Sequence, residues 1–281
     1  MATERIADNH GVRIAYEAHP RSDGPWTVLV HGLGYPRQSW GPLVDALAGH
    51  LSLVLVDNRG IGGSDVPEGP YDARQMAGDV VAVLDDLGIA AAHVIGTSLG
   101  GMIAQQLAIT APDRVERLVL LAATPGGEDA APMPEPTRAL LAEAPQLEPR
   151  EALQRLVANA LGPDADPAVV EHIVRLRIDT AQSPDGWQAQ AVAGTTYDGG
   201  GRESAIAAPT LLVHGTDDVV VDPANSALLD ERIPDSRLVW IDRGGHLVFW
   251  QHPEQLAALI VDHLTGDGPG GEATTTPGPR G

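Results

Sequence analysis

Cysteine and lysine are both absent from the 281 residues. Without cysteine there is no thiolate nucleophile, no cysteine-ligated zinc or iron–sulfur centre and no disulfide. Without lysine, Schiff-base chemistry and the phosphate-binding lysine of a P-loop are excluded as well. Positive charge is scarce: 18 basic against 38 acidic residues leave a formal net charge of -20. That field repels nucleic-acid phosphate and anionic lipid alike. Long apolar runs are missing too, since the strongest, 26–30, 51–56, 118–123 and 209–213, fall far below membrane-spanning length. Residues 1–12 carry charges throughout and have no apolar core of the length a signal peptide requires. The expectation is a cytoplasmic protein that handles a small molecule, with neither nucleic acid nor membrane as partner. Aromatic residues make up only 4%, but hydrophobic residues reach 43%, enough to bury roughly three quarters of the unfolded surface in a compact unit.

The short apolar runs read as buried strands and alternate with helix-period stretches at 42–47, 73–87, 99–109, 225–231 and 253–264. Strands apolar at nearly every position need cover on both faces, so the fold class is α/β, a mostly parallel sheet of about eight strands between two layers of helices. The later strands fall at 93–96, 117–121, 210–214 and 237–241, and an alternating pattern at 12–16 suggests a further early strand at a sheet edge. Between residues 124 and 206 the alternation stops, and helical patterns at 150–161 and 169–181 follow a proline-rich stretch. This segment is expected to be a helical lid inserted into a core formed by 1–123 and 207–265. Residues 266–281, mostly Gly, Pro and Thr, are expected to form a disordered tail.

The most informative segment is His93-Val94-Ile95-Gly96-Thr97-Ser98-Leu99-Gly100-Gly101-Met102, which reads as strand, Gly-x-Ser-x-Gly, helix. A serine on so sharp a turn stands proud of the sheet at the carboxyl ends of the strands, and glycines two positions either side relieve the crowding. Its hydroxyl is nearly inert at neutral pH and needs a base, which in turn needs an orienting carboxylate. Of ten histidines, His246 lies just after the last strand in Gly244-Gly245-His246, where glycines let a loop fold back over the sheet. The acid should come from the turn after strand 210–214, where Asp217 and Asp218 are adjacent; geometry alone does not choose between them, and Asp222 stands close behind. Attack on a carbonyl creates an oxyanion, for which the backbone N–H groups of Leu99 and Leu33 are the expected donors. His31, beside Leu33, is expected to fix its loop by hydrogen bonding.

The segments His31-Gly32-Leu33-Gly34, Asp57 to Ser64, Gly96 to Gly101, Gly215-Thr216-Asp217-Asp218 and Gly245-His246 together resemble those of the α/β-hydrolase family, serine branch. The resemblance implies the α/β-hydrolase fold with an inserted helical lid, and its pattern of Gly, two residues, then Asp favours Asp218. It treats the Asp57 to Ser64 turn as structural and calls for no metal or cofactor. The stretch from Ser98 to Gln105 is similar to small carboxylesterases and 3-oxoadipate enol-lactonases.

Ser98, where haloalkane dehalogenases and epoxide hydrolases of this fold carry Asp, argues against both. Thr97 before the serine and Leu247 after the histidine depart from the Asn and aromatic typical of carbon–carbon bond hydrolases. A proline iminopeptidase would need an acidic anchor, for which Glu128, Glu135, Glu143 and Glu148 are candidates; haloperoxidase turnover is a side activity of the same triad, and a non-catalytic ligand receptor is the alternative from another class. The preferred expectation is hydrolysis of a small, largely apolar ester or lactone in a pocket walled by Tyr35, Trp40, Met102, Trp187 and Val248. The acidic surface disfavours strongly anionic substrates at long range.

Overall fold

A computed structural model describes residues 3–180 and 182–266. The chain opens with strands β1 (Thr3–Asn9), β2 (Val12–His19) and β3 (Trp26–Val30), then helix α1 (Pro42–Ala48) and strand β4 (Ser52–Val56). Helix α2 (Ala73–Leu87), strand β5 (Ala92–Thr97), helix α3 (Leu99–Thr110) and strand β6 (Val115–Leu121) follow. Four helices come next, α4 (Glu135–Glu143), α5 (Pro149–Leu161), α6 (Pro167–Asp179) and α7 (Pro184–Thr195). The chain then returns through β7 (Thr210–Gly215), α8 (Ala224–Arg232), β8 (Ser236–Ile241), the short α9 (Val248–Gln251) and α10 (Pro253–Thr265).

The eight strands form one sheet in the order β1-β2-β4-β3-β5-β6-β7-β8, antiparallel at β1–β2 and β2–β4 and parallel from there on. Successive side chains of its central strands go to opposite cores, as the two-residue period of a strand requires. Val28, Val94, Leu118 and Leu212 pack with Val80, Leu84, Ile103, Leu107 and Leu229 from α2, α3 and α8. Leu29, Ile95, Val119 and Leu211 pack with Leu43, Leu47, Leu256 and Ile260 from α1 and α10. Both faces are covered, which is why the strands are apolar almost throughout.

The expected edge strand at 12–16 is corrected here, because β2 lies inside the sheet and β1 forms the edge. A turn with positive φ at His10 and Gly11 joins the two. Among residues 4–9 of β1 only Ala7 is buried, and a row of exposed charged residues is ordinary for an edge strand. The four inserted helices leave after β6 and return before β7, and their neck is clasped by a bridge between Gly126 and Asp198 where no pairing was expected. The helix expected at 169–181 is α6, which ends at Asp179. The expected tail, apart from Gly266, lies outside the described residues.

Candidate active site

At the end of β5, Ser98 takes φ 54° and ψ -120°, a conformation that costs a non-glycine residue of order 1–3 kcal/mol. The surroundings enforce it. A Cβ at Gly100 would strike the Val30 carbonyl, and one at Gly96 would strike the backbone of Gly100, so strand, turn and helix approach closely only with glycine at both positions. The turn places Ser98 on the wall of a cavity of about 530 Å³ between the carboxyl ends of the strands and the inserted helices. Gly32 faces the serine, where an added Cβ would come within 3.2 Å of Ser98 Cβ. Leu33 and Leu99 line the same cavity. Their two amide N–H groups donate to no group among the described residues, whereas the next amide, Gly34, donates to Gln190 Oε1 at 3.2 Å.

The acid and the histidine come from neighbouring loops stitched together by backbone bonds. Thr216 N–H donates to the Ile241 carbonyl at 3.0 Å, and Asp217 N–H to the Gly244 carbonyl at 2.9 Å. Those bonds bring Asp218 Oδ2 within 2.8 Å of His246 Nδ1, and His246 lines the cavity with Ser98. Of the two adjacent carboxylates, Asp218 is buried against the imidazole, while Asp217 is half-buried and makes no hydrogen bond to it among the described residues. Burial opposes ionisation of Asp218, but the flanking imidazoles of His246 and His214 outweigh it and hold the carboxyl well below the usual carboxylate range. Among the described residues no hydrogen bond joins the Ser98 hydroxyl to His246; both face the open cavity.

His31 accepts a hydrogen bond from Gly32 N–H at 2.7 Å. Burial pushes its imidazole down to about 3, so it is neutral. Tyr35, Met102 and Trp187 line the cavity as expected. Trp40 and Val248 do not, and the expectation for both is corrected. Trp40 is turned under the loop by the 3-10 turn of residues 37–40, its ring 5.1 Å from Phe249 and 4.8 Å from His31, fully buried. Val248, the first residue of α9, points into the core, and the preceding Leu247 takes the place at the cavity wall. None of Glu128, Glu135, Glu143 and Glu148 lines the cavity; the carboxylate that does is Asp222, whose Oδ1 accepts from Ala224 N–H at 2.9 Å.

Three residues of the site escaped sequence reasoning. His214 donates to Asp218 from behind at 3.0 Å, and the only available signal was a histidine in an otherwise apolar strand, four positions before the acid. Gln190 of α7 ties the inserted helices to the loop of Leu33 and Gly34 and donates to the Arg59 carbonyl at 2.7 Å. Arg177 of α6 projects onto the cavity wall. The Asp57 to Ser64 turn is held together by a buried ion pair of Arg37 with Asp57.

Fold and site define an α/β hydrolase, and the chain belongs to that family: the model for the α/β hydrolase fold matches residues 25–253. Among curated proteins it is similar to the pimeloyl-[acyl-carrier protein] methyl ester esterase of Aeromonas hydrophila, 32% identical over 252 residues that cover 86% of this chain and 96% of the relative. Among solved structures it is similar to the esterase RhEst1 from Rhodococcus sp. ECU1013, with 29% identity, a TM-score of 0.83 and coverage of 94% and 99% of the two chains. The enol-lactonase from Burkholderia xenovorans LB400 gives 28% identity and a TM-score of 0.81, covering 93% of this chain and all of that one. No helix among the described residues is long and apolar enough to cross a membrane.

Proposed function

We propose that the protein is a serine hydrolase that opens a carboxylic ester or lactone through an acyl-enzyme. Ser98 Oγ attacks the carbonyl carbon while His246 Nε2 takes its proton, and Asp218 stabilises the imidazolium through Nδ1. The Leu33 and Leu99 N–H groups receive the oxyanion, each contributing roughly 2.7–4 kcal/mol to lowering the barrier. The C–O bond then breaks, His246 returns the proton to the leaving oxygen, and a water repeats the sequence to release the acid. In a lactone the leaving oxygen stays tethered to the product. The inserted residues 124–206 act as the lid over the core of 1–123 and 207–265, and the largely apolar wall suits a small ester or lactone whose chain is largely apolar.

One observation carries this reading: an imidazole bonded to a buried carboxylate lines the same cavity as a serine held on a strained turn, beside two amides with no partner among the described residues. The ester and lactone substrates named for the similar proteins support it. Ser98→Ala should abolish turnover of a short p-nitrophenyl ester with the melting temperature kept, and an organophosphonate should form a covalent adduct at Ser98 of the unaltered protein, read by mass spectrometry. Turnover surviving in Ser98→Ala excludes the assignment. Tight ligand binding with neither adduct nor turnover identifies a receptor instead.

A further inference from the structure

Arg177 stands out in a chain where acidic residues outnumber basic ones by 38 to 18. Of the other arginines on the inserted helices, Arg150 and Arg175 pair with Glu171 at 2.7 Å and Arg155 with Glu143 at 2.7 Å, while Arg138, exposed on α4, has no ion pair among the described residues. Arg177 has no carboxylate within ion-pair distance among the described residues, despite the surplus. It is half-buried and lines the cavity that holds Ser98 and His246. Leaving a guanidinium in such surroundings without a counter-charge is unfavourable, and the fold nevertheless fixes it there.

Two contacts hold it. Its guanidinium carbon lies 4.5 Å from the centroid of the Tyr35 ring, and that ring stacks in turn on His31, with centroids 4.9 Å apart and planes inclined at 21°. The cation–π contact covers one face of the guanidinium and leaves its N–H edge for a partner. The second contact is with Gly34, where a Cβ would strike Arg177 Nη2, so the side chain lies directly on the loop that carries the Leu33 amide. Arg177 and Trp187 also line a second cleft of about 630 Å³ with Leu153 and Ile178. The arginine thus stands at the partition between the reaction chamber and an outer, mainly apolar cleft. The carboxylate on the chamber wall, Asp222, belongs to the segment after β7, accepts from Ala224 N–H and is not within ion-pair distance of Arg177.

We propose that Arg177 is the binding site for a carboxylate on the substrate, placed beyond the ester group, so that the preferred substrates are half-esters or lactones of dicarboxylic acids rather than purely apolar esters. A planar fork with one face covered pairs with a carboxylate through two parallel N–H···O bonds, a specificity that a neutral acyl chain cannot match. The proposal rests on the ester-hydrolase reading for its reaction, but the anion site itself is separable from it.

The test compares the mono-p-nitrophenyl ester of adipic acid with the neutral hexanoate ester in the unaltered protein, Arg177→Gln and Arg177→Lys. The ratio of kcat/KM for the acidic over the neutral ester should fall about 10- to 100-fold in Arg177→Gln, mostly through KM, and Arg177→Lys should keep part of it. A ratio unchanged by Arg177→Gln, with both esters losing equally, overturns the proposal. Calorimetric titration with adipate reads the site without turnover. If neither ester is hydrolysed yet adipate binds and Arg177→Gln weakens it at least tenfold, the reaction assigned above fails and the anion site stands; adipate affinity indifferent to Arg177→Gln overturns the site.

Discussion

Four N–H donors converge on the Asp218 carboxylate. Oδ1 accepts from the amides of Val220 and Val221 at 2.7 and 3.0 Å, and Oδ2 from His246 Nδ1 at 2.8 Å and His214 Nε2 at 3.0 Å. The His214 tautomer follows from its partners: Nε2 faces two acceptors, Asp218 Oδ2 and the Val221 carbonyl, so it carries the proton. Nδ1 is then an acceptor for the Ser226 hydroxyl at 2.6 Å. His214→Phe keeps an aromatic ring but removes one donor from a buried charge and leaves the Ser226 hydroxyl only the Ala123 carbonyl at 3.5 Å. A hydrogen bond to a charged group is worth about 1.5–3 kcal/mol, so kcat/KM for a short ester should fall about 10- to 100-fold, together with a lower melting temperature. A lower melting temperature at unchanged kcat/KM would limit His214 to packing. Ser98 and His246 were legible as candidates because each follows a strand and sits in a glycine turn, whereas the turn after β7 offered Asp217 and Asp218 alike and only the family resemblance favoured Asp218. His214 and Arg177 were not legible, because their roles depend on what lies across the sheet or across the cavity from them.

Elements were legible in proportion to how local their causes are. Helix α2 matched its expected range from Ala73 to Leu87 because its ends are written in the chain: Asp72 and Gln75 form a reciprocal capping box, and Gly88 closes the helix in the left-handed region. The central strands were clear because burial on both faces makes them apolar throughout. Helices α4 and α7 went unrecognised, having few apolar residues to mark a buried face, and α7 docks by backbone proximity instead. Gly186 in its first turn lies against Gly60, where a Cβ would strike the Gly60 carbonyl, and Gln182 donates to that same carbonyl at 2.9 Å. Gly186→Ala forces these backbones apart at an overpacking cost of about 1–3 kcal/mol. Trp187 and Gln190, on the same helix, reach the cavity and the Gly34 amide. The variant should therefore lose about tenfold in kcat/KM, while its melting temperature falls by only a few degrees. Unaltered kinetics with a large loss of stability would show that α7 supports the core and not the site.

Across the whole molecule, a strongly acidic exterior surrounds a mouth with apolar side chains. Met133, Leu141 and Trp187 are among the exposed large hydrophobic residues, and all three line the cavity. The apolar rim favours an acyl chain, whereas the net charge of -20 repels any anion still in solution. A carboxylate-bearing substrate therefore meets two opposed effects at different ranges, repulsion from the whole surface during approach and attraction to Arg177 once inside. Salt separates them, because exposed charges more than about 8 Å apart are largely screened at physiological ionic strength, and a half-buried pair much less. Raising the ionic strength from about 0.02 to about 0.2 M should increase kcat/KM for the adipate half-ester about two- to threefold and leave the neutral hexanoate ester nearly constant. A fall for the half-ester would mean that the local attraction is itself exposed and screened, and that the surface charge does not govern approach.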